Sequence, residues 1–89
     1  MNKRYNCGDL LSPALKSLIE KKLDKLESKY ALGDATVDVA MSKEGKDYAL
    51  KMQLVSGSYN ILAKSTSNDM YKNIDDCVDK LNSQITKHK

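Results

Sequence analysis

Apolar and polar positions along this chain follow two rhythms, and the rhythm changes twice. In SPALKSLIEKKLDKLESKY, Leu15, Leu18, Ile19, Leu23, Leu26 and Tyr30 recur at spacings of three and four, which lays one apolar stripe along a helix. Ser12 is placed to accept hydrogen bonds from the free first-turn amides, and Pro13 at the first helical position forfeits no bond. Gly33 is the expected stop, with Asp34 opening a turn.

Beyond Asp34 the period drops to two. Val37, Val39 and Met41 alternate with Thr36, Asp38 and Ala40; Tyr48, Leu50, Met52 and Leu54 alternate with Ala49, Lys51, Gln53 and Val55. Tyr59, Ile61, Ala63 and Ser65 do the same against Asn60, Leu62 and Lys64. Each run predicts a strand with one buried face. A charged turn from Lys43 to Asp47 with Gly45 inside it, and a second at Ser56-Gly57-Ser58, join the three into an antiparallel meander. Helical spacing then returns at Met70, Ile74, Cys77, Val78, Leu81 and Ile85, with Ser67 or Asn68 as the cap and Asp69 in the positive first turn. NKRYNCGD, before the first helix, reads as an edge strand. The predicted order is β-α-β-β-β-α: an α+β fold with two helices packed on one face of a four-stranded, mostly antiparallel sheet.

Length bounds this picture. Residues 1–89 have room for one domain and one core. With 40% apolar and 30% charged residues, the composition is that of a soluble globular protein. No stretch approaches a membrane span, and MNKRYNCGDLL lacks the apolar block of a secretory signal, so a cytoplasmic location is expected.

Catalytic and metal chemistry find no constellation. Cys7 and Cys77 form no CxxC or Cys/His cluster and read as two reduced thiols. His88, the only histidine, sits one residue from the end; no Gly-rich phosphate loop, nucleophile elbow or HExxH pattern is present. Asp75, Asp76 and Asp79 read as a solvated helix face steadied by an Asp76 to Lys80 pair. The expectation is no enzyme, no cofactor, no metal and no small-molecule substrate.

Net charge is a modest +3, so its distribution matters more than its size. With Leu15 as zero and 100° per residue, Lys21, Lys22, Lys25 and Lys29 fall between about 240° and 340°, whereas Glu20, Asp24 and Glu27 fall between about 120° and 180°. The first helix thus has a basic flank and an acidic one, where a merely solubilising helix interleaves its signs. Lys51 and Lys64 become neighbours on adjacent strands if the Ser56-Gly57-Ser58 turn sets the register. Lys80 and Lys87 share one side of the last helix, ahead of the closing His88-Lys89. Such a surface suits a polyanion. The acidic start of the last helix is unlike the lysine cluster by which double-stranded RNA-binding domains grip phosphate.

The closing stretch DMYKNIDDCVDKLNSQITKHK resembles the last helix of the ribosome hibernation-promoting factor and ribosome-associated inhibitor family, formerly labelled sigma-factor modulation proteins. That helix runs D-M-Y-x-x-I-D-x-x-x-D-K-L-x-x-Q-L/I-x-K-x-K, and Asp69, Met70, Tyr71, Ile74, Asp75, Asp79, Lys80, Leu81, Gln84, Ile85, Lys87 and Lys89 fit it. The first helix is similar too, through Ala14, Leu15, Ile19, Lys22, Leu23, Lys25, Leu26, Lys29 and Tyr30. MNKRYNCGDLL departs from the family's first strand, lacking its apolar alternation, with Gly8 shifted toward the helix.

The resemblance implies the same β-α-β-β-β-α fold and a factor that binds the small ribosomal subunit where messenger and transfer RNAs sit, blocking translation under stress. It matches Lys22, Lys25, Lys29, Lys80, Lys87 and Lys89 with the family's rRNA-facing residues; Lys51 and Lys64 join them on sheet geometry. The chain would be a short form or the N-terminal domain of a long one. The runner-up reading is a protein-interaction module that modulates a transcription factor, for which Val55 and Leu62 on the open sheet face are the only hints.

Overall fold

A computed structural model describes residues 1–57 and 59–87. The chain runs β1 (Asn2–Asn6), a 3-10 turn (Gly8–Leu10), α1 (Pro13–Tyr30), β2 (Thr36–Glu44), β3 (Asp47–Val55), β4 (Asn60–Ser67) and α2 (Met70–Lys87), the order that the hydrophobic rhythm predicts. The strands lie in the sequence β1-β2-β3-β4. β1 pairs parallel to β2, with α1 as the crossover between them, and the other two pairings are antiparallel. The expected edge strand therefore forms despite its polar sequence. Asn2 adds a backbone bond to the Ala35 carbonyl at 2.8 Å.

Helix α1 starts as Ser12 and Pro13 require: the Leu15 amide donates to Ser12 Oγ at 3.2 Å. Its end differs from expectation. Ala31, not Gly33, takes the left-handed conformation (φ 55°), and the amides of Ala31 and Leu32 both donate to the Glu27 carbonyl. The α2 cap also moves, from Ser67 or Asn68 to Asp69, whose carboxylate accepts the Tyr71 amide at 3.0 Å while Ser67 Oγ accepts the Asp69 amide. Gly45 does take the positive φ of its hairpin turn, at 64°.

Both helices cover the same side of the sheet. Val37, Val39, Leu50, Met52, Leu54, Ile61 and Ala63 meet Ile19, Leu23, Ile74, Leu81 and Ile85 in one core. Two polar residues among the described ones, Ser65 and Asn73, are buried with it. Asn73 is fully buried, accepting from Ser65 and Ser67 at 3.0 and 2.8 Å and donating to the Tyr48 carbonyl at 2.8 Å. Those bonds tie α2 to β3 and β4 and satisfy the amide.

The two cysteines are free and buried, in agreement with the expected reduced thiols. Burial pushes the Cys77 thiol up to about 11, with nearby Lys80 pulling it down and Asp76 adding to the rise. Burial also raises Cys7. A thiol whose folded pKa exceeds its unfolded value of 9.0 favours the folded state below that pH, because the unfolded chain ionises first. Stability should therefore decline as pH rises from about 9 toward 11, and melting curves across that range will register it. At neutral pH the native protein should react with a thiol reagent far more slowly than the unfolded chain.

Candidate nucleic-acid interface

The sorted charges of α1 meet different neighbours. On the acidic flank, Asp24 accepts from Lys3 at 2.8 Å and Glu27 from the Met1 amino group, so these carboxylates are engaged by the start of the chain. The basic flank turns toward α2. There Lys22, Lys25 and Lys29 border a groove of about 280 Å³ whose other wall holds Val78, Asp79 and Asn82. Of the three lysines, Lys22 is partnered, 2.7 Å from Asp75. Lys29 lies 5.3 Å from the centre of the Tyr30 ring, and Lys25 has no ion-pair partner among the described residues.

Lys22 meets Asp75 near the start of α2, and Tyr30 donates to Asn82 at 2.6 Å near its end. The helices therefore run in the same sense. Their negative C-terminal ends lie together, each with a lysine in the last turn, Lys29 and Lys87.

Lys80 and Lys87 lie on the other flank of α2, away from the groove. Lys80 Nζ donates to the Lys64 backbone carbonyl, at the outer edge of β4. The expected Asp76 to Lys80 pair is absent because each end has a closer partner. Asp76 instead accepts from Ser65 Oγ at 3.2 Å. Lys51 and Lys64 are direct cross-strand partners, as the turn suggests, on the sheet face that the helices leave open.

The expected lysines thus form two territories. Lys22, Lys25 and Lys29 line the interhelical groove, while Lys51, Lys64 and Lys80 belong to the open face and the β4 edge; Lys87 stands exposed in the last turn of α2. Lys89 lies outside the described residues, as does His88. Tyr30, Asn82 and Thr86, which close the groove by hydrogen bonds at 2.6 and 3.0 Å, were not foreseen, nor was Asp79 in its wall. Val78 and Asn82, four residues apart, share one flank of α2, the only sequence signal of that wall.

Among the described residues no group of His, Cys, Asp or Glu is arranged to hold a metal ion. No helix is long and apolar enough to cross a membrane.

Comparison with known proteins places this geometry in a family. A ribosomal subunit interface protein from Coxiella burnetii has a similar structure, with a TM-score of 0.84 and 24% identity over 99% of this chain and 97% of that one. The Protein Y N-terminal domain from Thermus thermophilus is similar at a TM-score of 0.85 and 27% identity, each chain covered over 100% of its length. The family profile described as Sigma 54 modulation protein / S30EA ribosomal protein matches residues 10–89. On that match the chain belongs to the Sigma 54 modulation protein / S30EA ribosomal protein family.

Proposed function

We propose that this protein binds the small ribosomal subunit through its helical face, occupies the channel in which messenger and transfer RNAs sit, and so holds translation off under stress. The reading is carried by the interhelical groove of a chain in this family: Lys25 and Lys29 have no carboxylate partner among the described residues, while Asp24 and Glu27 are engaged on the opposite flank of α1. The mechanism is occupancy. Each lysine that replaces counterions along rRNA phosphates adds affinity without reading sequence, and no bond is made or broken. Lys22 contributes mainly by bracing α1 against α2 through Asp75. The ribosome makes the cytoplasm the place of action.

Co-sedimentation of the protein with isolated small subunits across a salt series tests this. Saturation near one copy per subunit, with log affinity falling steeply and linearly against log salt, is expected. Weak binding that never saturates and is shared with any RNA would overturn the reading.

One observation favours the rival protein-interaction module. Val55 and Leu62 on the open face are 42% and 49% exposed. They stand apart from the groove, and a partner held there would bind with little salt dependence.

A further inference from the structure

The open face of the sheet contains an arrangement that the fold does not require. Lys51 and Lys64 sit directly opposite each other on β3 and β4. Like charges in that position, with Cβ atoms about 5 Å apart, destabilise a sheet. Neither ammonium has an ion-pair partner among the described residues. Asp38, the acid in the neighbouring row, lies instead 4.0 Å from Arg4.

The pair borders a shallow cavity of about 280 Å³. Ala40 and Ala49 leave its floor low, Ser42 and Thr66 supply hydroxyls, and the Glu44 carboxylate stands at its hairpin end. Lys80 lies beyond the same edge, its ammonium on the Lys64 carbonyl. Strands are about 4.8 Å apart. Three cations therefore cross the sheet from the β4 edge inward.

We infer that this face takes a single-stranded RNA segment, its backbone laid across the strands with phosphates on Lys51 and Lys64. Charge complementarity selects an anionic occupant. The alanine floor lets a backbone come close, and Glu44 and the two hydroxyls can pair with ribose 2′-hydroxyls, which both donate and accept. On this face β2, β3 and β4 present no aromatic ring, so the grip is on the backbone and indifferent to sequence. The domain would then hold RNA on two sides, one segment in the helical groove and a second on the sheet, as a wedge between strands. The inference rests on the ribosome-binding reading for the source of the RNA and on the sheet geometry for the site.

A substitution that moves stability and binding in opposite directions tests it. Lys51→Glu puts a carboxylate opposite Lys64, and the melting temperature should rise by about 1–6 °C. Anisotropy of a labelled single-stranded RNA dodecamer of mixed sequence, read from about 50 to 200 mM salt, should show weaker binding and a slope shallower by about 0.7 per lost phosphate contact. The Lys51→Glu, Lys64→Glu double variant restores like-charge repulsion and should melt near the wild type while binding the dodecamer still more weakly. A variant with wild-type affinity and slope would overturn the site.

Small-subunit co-sedimentation of the same proteins separates the two readings. Wild type that saturates subunits, with the double variant keeping its full salt slope there, would remove the sheet site and leave the groove. Wild type that fails on subunits, with the dodecamer slope still reduced by Lys51→Glu, would leave the sheet site and remove the ribosome.

Discussion

Reversing the charge of Lys25 and Lys29 together is expected to abolish co-sedimentation with the small subunit while leaving the fold in place. Both side chains border the groove, and neither is paired with a carboxylate among the described residues. A charge-assisted contact contributes about 1.5–3 kcal/mol. Losing two costs about 3–6 kcal/mol, or roughly 100- to 10,000-fold in affinity. Adding Lys22→Glu should deepen the loss and also lower the melting temperature slightly, since it sets a second carboxylate against Asp75, 2.7 Å from the native ammonium. That bridge is half exposed, so the change in stability should stay within about 1 kcal/mol. A folded Lys25→Glu, Lys29→Glu protein that still saturates subunits would remove the groove from the site.

The opposite signature is expected from the core. Leu23 and Leu81 are both 0% exposed in the single hydrophobic cluster. Truncation of either to alanine should cost about 2–5 kcal/mol, through lost burial and an unfilled cavity. In a domain of this size that corresponds to a melting temperature lower by roughly 10–30 °C. Circular dichroism during heating measures it directly. Below the new transition, subunit binding should keep the wild-type salt slope, because no phosphate contact has been removed.

Much of the fold was legible because burial repeats with the period of the element that creates it. Leu15, Ile19, Leu23 and Leu26 are buried along α1, and Val37, Val39, Leu50, Met52, Leu54 and Ile61 along the strands. The misses occur where a local rule competes with a distant partner. Asn73 breaks the rule that polar residues face out, since two serines of β4 and a β3 carbonyl satisfy it inside. Ala31 takes the turn expected of Gly33 because the α1 end is fixed by Glu27 accepting two amides. The Asp76 to Lys80 pair is correct for an isolated helix, but Ser65 and the Lys64 carbonyl lie close in the folded chain.

The candidate site was legible in residue type and less so in arrangement. A helical wheel separates the lysines of α1 from its acids, yet it cannot say which flank faces a neighbour. Only the same-sense packing of the helices turns Lys22, Lys25 and Lys29 toward α2. The same packing leaves Lys80 on the far flank, joined to the sheet instead through the Lys64 carbonyl.

The two outer strands have a consequence for how copies of the chain coexist. An unpaired strand edge is a template on which another molecule can add its own strand. Here one edge is β1, five mainly polar residues, and the other is β4, whose Lys64 carbonyl is already taken by Lys80. A short edge and a lysine laid over the other are both devices that oppose stacking of sheet upon sheet end to end. The same lysine that extends the basic surface thereby guards the chain against its own aggregation.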